Sequence, residues 1–157
     1  MKQSPDLQAA QAAMAPGKIT LDGFLGTDPR NLIDILIADH AAVERAGFEH
    51  EDLADAMERF RNEGARGLGD FITVDKTYEV KVESVRGKLP CPFGDHAFVP
   101  KVNTTVREKK SGRTVVFSDL HIHMVRAHGF YEGKGCPFRI EPADIIDALR
   151  MIPKTGD

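Results

Sequence analysis

The chain has 157 residues, of which 41% are apolar and 29% are charged, and its formal net charge is -3. A chain of this size and composition can bury a core without staples, so a single globular domain is expected. No apolar run reaches the roughly 20 residues that span a bilayer, and no secretion signal opens the chain. These features exclude a membrane-spanning class and predict a cytoplasmic protein.

Charge is divided unevenly between the two halves of the chain. Residues 1–75 hold seven Lys and Arg against 14 Asp and Glu, whereas residues 76–157 hold 14 Lys and Arg against 10 Asp and Glu. Two ordinary solvated surfaces explain this asymmetry, and so does a basic surface for an acidic partner. The partner is therefore open between another protein and a nucleic acid.

The amino-terminal third is predicted to be helical. Residues 1–17 are rich in Ala and Gln and are interpreted as a flexible tail or a short helix, with the domain proper at 18–157. Asp28-Pro29 is a typical helix start, and apolar side chains at helical spacing continue to about Ala46. His40 shares this apolar stripe, so we expect it in the core.

A second helix is predicted from about Glu49 to Glu63, where acidic residues occupy the first turn and apolar residues recur at helical spacing. Only a short loop separates it from the first helix, so the two are expected to form an antiparallel helical hairpin. His50, at the start of this second helix, is expected to be exposed.

Further along, the apolar period changes from helical to alternating, which indicates strands with one wet face. Helices are predicted again at Leu120–His128, before a terminating Gly129, and at Ala143–Met151. Because helices flank a run of strands, the predicted fold is an α+β domain with an antiparallel sheet of about four strands. The predicted strands are 71–75, 77–85, 98–107 and 113–117.

Metal-ligating side chains are concentrated in the second half of the chain. Four of the six histidines and both cysteines lie between positions 91 and 136. Zinc binds four nitrogen or sulfur donors, which structural sites usually draw as two close pairs. Cys91 with His96 supplies one pair, and His123 with His128 supplies the other. Zn2+ is accordingly the predicted cofactor.

One position of this ligand set is open. Cys136 can replace His96, because the glycine-rich segment 129–135 can return the chain towards the first pair. His121 lies nearly two helical turns from His128, about 10 Å along the axis, so these two are a poor pair and His121 is expected to be exposed. Both cysteines are expected to be reduced thiols.

The segment Leu120-His-Ile-His123-Met-Val-Arg-Ala-His128, preceded by a strand, resembles the helical half of a Cys2His2 zinc finger. In that family a leucine packs under the site and two histidines bind the metal, and the leucine and two of the histidines of this segment hold those positions. The resemblance covers residues 91–130. It implies a ββα unit and a zinc-binding subregion at about 88–138, but the knuckle has one cysteine where the family has two.

A second resemblance is to the HNH-type ββα-metal nucleases. It rests on Asp95-His-Ala-Phe-Val-Pro100, with Asn103 after it. It implies that His96 activates water and that His123 or His128 binds a divalent ion. A metal-dependent hydrolase or an HNH-like nuclease is therefore the alternative function.

The favoured interpretation is a small cytoplasmic zinc-binding protein that acts as a binding or adaptor module. Four protein donors leave no obvious position for water, which is typical of a structural metal site. Lys109, Lys110 and Arg113, at a predicted hairpin tip, are candidate phosphate contacts for a nucleic-acid partner.

Overall fold

The computed structural model describes residues 2–153, and within them five α-helices and a four-stranded antiparallel sheet form an α+β fold. The predicted fold class is confirmed. None of the helices in this part of the chain is long and apolar enough to cross a membrane. The helices are α1 (Pro5–Ala13), α2 (Leu32–Arg45), α3 (His50–Gly64), α4 (Asp119–His128) and α5 (Pro142–Ala148). The strands are β1 (Ile72–Val74), β2 (Tyr78–Pro90), β3 (Phe98–Glu108) and β4 (Thr114–Ser118), in the sheet order β1-β2-β3-β4.

The two central strands extend beyond their neighbours. β4 pairs with β3 only as far as Asn103, and β1 pairs with β2 only as far as Val80. β2 and β3 continue past a register irregularity between Ser84 and Lys88. We call this two-stranded extension, residues 85–90 with 98–101, the arm, and the loop 91–97 at its tip the knuckle loop. The sequence predicted that the second strand would end near residue 85, so β2 is longer than expected.

The main core lies between the sheet and the helices α3, α4 and α5. α3 packs against α4 and the sheet, whereas α2 packs against α1 and α5. Although α2 and α3 follow one another along the chain, each therefore has its main contacts elsewhere rather than in the predicted hairpin. Fully buried side chains of this core include Leu53, Met57, Val80, Val106, Phe117 and Ile145.

A second core connects the amino-terminal segment to α4 and the knuckle loop. One glutamine of α1 and one just before it cap α2: the Leu32 N–H donates to Gln11 Oε1 at 3.1 Å, and the Ile33 N–H donates to Gln3 Oε1 at 2.8 Å. A helix was one of the two interpretations of residues 1–17, whereas flexibility of the segment stays a prediction. The second core consists of Ala10, Met14, Phe24, Leu32, Ile35, Cys91, Leu120, Met124 and Phe130.

Two histidine predictions are wrong for a common reason. His40 is exposed, with 63% of its side chain accessible, while its neighbour Asp39 is buried. The buried stripe of α2 passes through Asp39 because Arg139 neutralises that carboxylate, with contacts of 2.8 and 2.9 Å. His50 is only partly exposed, because its Nδ1 lies 2.8 Å from the buried Tyr131 hydroxyl. In both cases a partner distant in sequence decided the burial.

His50 is expected to make the protein less stable below about pH 6.5. Burial, and next the nearby His40, lower the pKa of His50 in the folded state. The unfolded chain therefore takes up this proton first as the pH falls. This contribution to stability is complete above the unfolded pKa and is lost as the pH falls through the folded pKa. Unfolding free energies measured with chelator present should decline less steeply with acid in His50→Gln, and identical profiles would contradict the assignment.

Candidate metal centre

Four side chains from the knuckle loop and α4 form a group that can hold a metal ion. They are Cys91, Asp95, His123 and His128, and their ligand atoms all lie within 4.8 Å of one another. One thiol, one carboxylate and two imidazoles are chemically suited to a transition metal. The group joins the tip of the arm to a helix that follows it by more than 20 residues in sequence.

The knuckle loop is a closed turn that carries two of the ligands, Cys91 and Asp95. The Cys91 N–H donates to the Ala97 carbonyl at 3.0 Å, and the Gly94 N–H donates to the Cys91 carbonyl at 3.2 Å. The Ala97 N–H also donates to Asp95 Oδ1 at 3.0 Å. Because that bond occupies Oδ1, the other carboxylate oxygen is oriented towards α4.

Helix α4 supplies the two histidines. Its first turn is capped by Ser118, whose Oγ accepts the His121 N–H at 3.1 Å, and its last residue is followed by Gly129 with φ 64°. His123 Nε2 and His128 Nε2 lie 2.7 and 2.8 Å from Asp95 Oδ2. Both nitrogens donate to this oxygen, so a metal ion at the centre would take the place of two protons.

Aromatic packing orients the second histidine. The Phe93 ring stacks on the His128 ring with 4.0 Å between centroids and an interplanar angle of 11°. Phe93 also meets the buried Phe130 edge to face. The knuckle loop is thereby fastened to the second core beneath the group, which limits the orientations open to the imidazole.

The pKa values of the two ligands in the knuckle loop are shifted in opposite directions. Burial raises the pKa of the Cys91 thiol to about 11. For Asp95, burial alone would raise the pKa, but hydrogen bonds from the Ala97 amide and from His128 and His123 hold it well below its usual range. The carboxylate is therefore ionised and ready to bind a cation, whereas the thiol must lose its proton to the metal.

The group lies at the surface and borders a cleft. The His123 and His128 side chains are 27% and 20% exposed, and Cys91 is 6% exposed. Beside His123 is a cleft of about 330 Å³, whose polar lining includes Arg61 and Arg126. Both arginines are already paired with carboxylates, at 3.1 Å for Asp119 and 2.7 Å for Asp55.

The structure brings together Cys91, His123 and His128 of the predicted ligand set, and Asp95 stands where the sequence suggested His96. His96 is exposed, has φ 66° and is not a member of the group. Adjacent residues in a tight turn point in different directions, so only one of the pair can face α4. The hydrogen bond from Ala97 to the carboxylate two residues earlier is a common turn pattern, and it was the signal available for Asp95.

Cys136, the alternative ligand, belongs to a separate buried network. Its Sγ–H donates to Glu132 Oε1 at 2.7 Å, and the other oxygen of Glu132 accepts from His121 Nε2. The Ser118 N–H donates to His121 Nδ1 at 2.8 Å, so this histidine closes a capping box. His121 is therefore only 8% exposed, and the prediction that it lies on the surface is wrong. Both Cys91 and Cys136 are free thiols.

The glycine-rich segment after α4 packs elsewhere than predicted. The Thr27 N–H donates to the Lys134 carbonyl at 3.1 Å, and the Gly133 N–H donates to the Phe24 carbonyl at 2.9 Å. The two backbones are so close that a Cβ on Gly133 would lie 2.2 Å from the Leu25 carbonyl oxygen. This docking holds residues 133–134 against the loop before α2, and Cys136 lies with Glu132 rather than at the knuckle loop.

The predicted phosphate contacts lie at the turn between β3 and β4. Arg113 pairs with Asp144 at 3.0 Å, and Lys109 Nζ donates to Thr73 Oγ1 at 3.0 Å. Lys110 is exposed. One of the three cations is therefore already neutralised by an acidic neighbour.

Comparisons with protein-family models, with curated proteins and with solved structures found no match. The group of four side chains is thus the observation on which a functional conclusion rests.

Proposed function

We propose that the protein is a zinc-binding protein in which one Zn2+, bound by Cys91, Asp95, His123 and His128, ties the tip of the arm to α4. The observation that carries this proposal is the convergence of four donor atoms within 4.8 Å of one another. The arm then serves as a rigid binding surface for another macromolecule, either a protein or a nucleic acid, and the protein acts as an adaptor.

The donor set supports zinc over the common hard cations. Mg2+ and Ca2+ bind oxygen ligands, whereas thiolate and imidazole are ligands of zinc and its neighbours in the transition series. Four protein donors of this kind suit a tetrahedral ion. An aspartate stands where a Cys2His2 site has its second cysteine. The number of donors is therefore still four.

A structural role is supported by where the ligands come from. Two are in the knuckle loop and two are in α4, and within residues 2–153 no third strand pairs with the arm. A metal ion between the two elements would hold the arm in one orientation, as the bound ion does in small zinc domains.

The test of this proposal is the metal content of the purified protein, for which we expect about one zinc per chain. Asp95→Ala and His128→Ala are expected to lose the metal, because each removes one donor. His96→Ala is the matched control, since this exposed histidine is the immediate neighbour of Asp95, and it should retain the metal. Metal-free wild-type protein that does not take up zinc, or loss of zinc on changing His96 but not Asp95, would contradict the ligand set.

The cleft beside His123 supports a second candidate function, that of a metal-dependent hydrolase. Its volume of about 330 Å³ and its polar lining would suit a small substrate next to the metal. The two functions differ in whether the ion has an exchangeable coordination position. In the Co2+-substituted protein, a visible spectrum unchanged by added azide supports the structural site, and a spectrum that shifts supports the hydrolase.

A further inference from the structure

We propose that the arm is a binding surface for single-stranded nucleic acid, in which Arg86, Lys88 and Lys101 contact phosphates and Phe98 stacks on a base. This inference rests on the proposed function, because the metal fixes the tip of the arm. It replaces the turn between β3 and β4 as the expected contact with nucleic acid.

The three cations of the arm are not neutralised by the protein. All three are exposed, and none makes an ion pair or a side-chain hydrogen bond with another residue in the described range 2–153. The only acidic residue between positions 85 and 101 is Asp95, whose carboxylate is engaged by two histidines and the Ala97 amide. The arm therefore has a concentrated positive charge that an anionic partner can complement.

This situation differs from that of other cations near the sheet. Arg107 pairs with Glu79 at 3.0 Å, and Arg113 pairs with Asp144 at 3.0 Å. A cation already paired with a carboxylate gains little from a phosphate, because the existing pair must first be broken. The unpaired cations of the arm do not have this cost.

The register of the arm places a cation and an aromatic ring on one face. Lys88 pairs with Pro100, and Pro90 pairs with Phe98. Partners in an antiparallel ladder share a face, and residues two apart along a strand share it too, so Lys88 and Phe98 project from the same side. Phe98 is 64% exposed, although phenylalanine is among the residues most often buried.

The Lys101 side chain crosses the arm where the pairing of β2 with β3 is irregular. Gly87, with φ 110°, lies opposite Lys101, and a Cβ added at Gly87 would be 3.6 Å from Lys101 Cε. Because residue 101 alternates with residue 100, the Lys101 stem leaves the strand on the side opposite Lys88 and lies along the Gly87 backbone, where its exposed ammonium group can meet a phosphate at the edge of the arm. Val85, also 64% exposed, adds apolar surface beside these charges.

A single strand suits this surface better than a duplex. The bases of a duplex are already stacked on one another, whereas those of a single strand are available to stack on an exposed aromatic ring such as Phe98. Here Leu89 and Val99 pack against the second core, and the knuckle loop lies against α4, so one face of the arm is covered. A flexible single strand can stack a base on the aromatic ring of the open face while its backbone phosphates meet the cations on that face and at the edge of the arm.

The test is fluorescence anisotropy of labelled single-stranded DNA and RNA of about 12 nucleotides with the zinc-loaded full-length protein. Three phosphate contacts on a single strand predict a slope of about -2 for log affinity against log salt, or about a 20-fold loss between 50 and 200 mM salt. Tighter binding of one of the two probes would assign the partner to DNA or RNA.

The decisive comparison is between two double charge reversals. Lys88→Glu/Lys101→Glu should weaken binding by about tenfold or more and reduce the magnitude of the salt slope to below about 1. The matched control, Lys109→Glu/Lys110→Glu, reverses two lysines at the turn between β3 and β4 and should bind like the wild type. Phe98→Ala should weaken binding by at least about fivefold with an unchanged salt slope, because it removes stacking and no charge.

The outcomes separate this inference from the zinc proposal. Protein that carries zinc but does not bind either single strand at low salt overturns the arm surface and leaves the metal site standing. Tighter binding of a duplex of the same sequence, or weakening by the control pair alone, also overturns it. Protein without metal in which the arm variants still lose binding supports the surface and overturns the zinc proposal.

Discussion

Removal of the metal is expected to lower the free energy of unfolding by about 4 kcal/mol when the reference sample contains free zinc a thousandfold above its dissociation constant. The reason is that zinc binds the folded arrangement of Cys91, Asp95, His123 and His128, which the unfolded chain does not maintain. Urea unfolding with and without chelator measures the difference. His128→Ala should reproduce the chelator effect, and chelator should then have no further effect on the variant.

The control for this prediction is again His96→Ala, which should unfold like the wild type and respond to chelator in the same way. An unchanged unfolding midpoint in chelator, for a wild-type sample shown to have contained zinc, would contradict a structural role for the ion. The hydrolase would then be the better of the two candidate functions.

Asp39→Ala is expected to cost about 1–3 kcal/mol of stability, because it leaves the buried Arg139 guanidinium with one carboxylate partner, Glu141, instead of two. The two side chains are only 6% and 5% exposed, and two N–H groups of Arg139 reach the carboxylate at 2.8 and 2.9 Å. Burial alone would lower the pKa of Arg139, but Glu141 and Asp39 raise it, so the guanidinium stays charged. This pair connects α2 to the segment before α5.

Asp55→Ala is the matched control, since Asp55 is the exposed partner of Arg126, with 62% of its side chain accessible. An exposed pair of this kind is worth about 0–1 kcal/mol. The double variant Asp39→Leu/Arg139→Met should recover part of the lost stability, because it removes the buried charge with its partner. Equal effects of Asp39→Ala and Asp55→Ala would show that burial of the Asp39 pair contributes nothing extra.

Local pattern predicted most of the secondary structure. The second helix was expected at about Glu49 to Glu63 and lies at His50–Gly64, and the helix with the paired histidines lies at Asp119–His128. These elements have a clear apolar period and strong terminators, such as Gly129, so sequence neighbours alone determine them. The arm was missed because an irregularity interrupts the alternation of β2 between Ser84 and Lys88.

Side-chain pairing was less accessible to sequence reasoning. A preference for nitrogen and sulfur donors favoured His96 over the adjacent Asp95, but the turn geometry selects the aspartate. Asp39 and His40 are neighbours on α2, and only the distant Arg139 decides that the aspartate is the one buried. A charge can enter the core only where the fold supplies its partner.

The sequence by itself determined the α+β class, the positions of the helices and most strands, and the concentration of Cys and His side chains around the knuckle loop and α4. Only the tertiary structure decided which of them converge. It placed Cys136 with Glu132 and His121, and it placed Asp95 between His123 and His128. The physical reason is that spacing along a helix or strand depends on local backbone geometry, whereas a metal group depends on the directions of side chains from elements far apart in the chain.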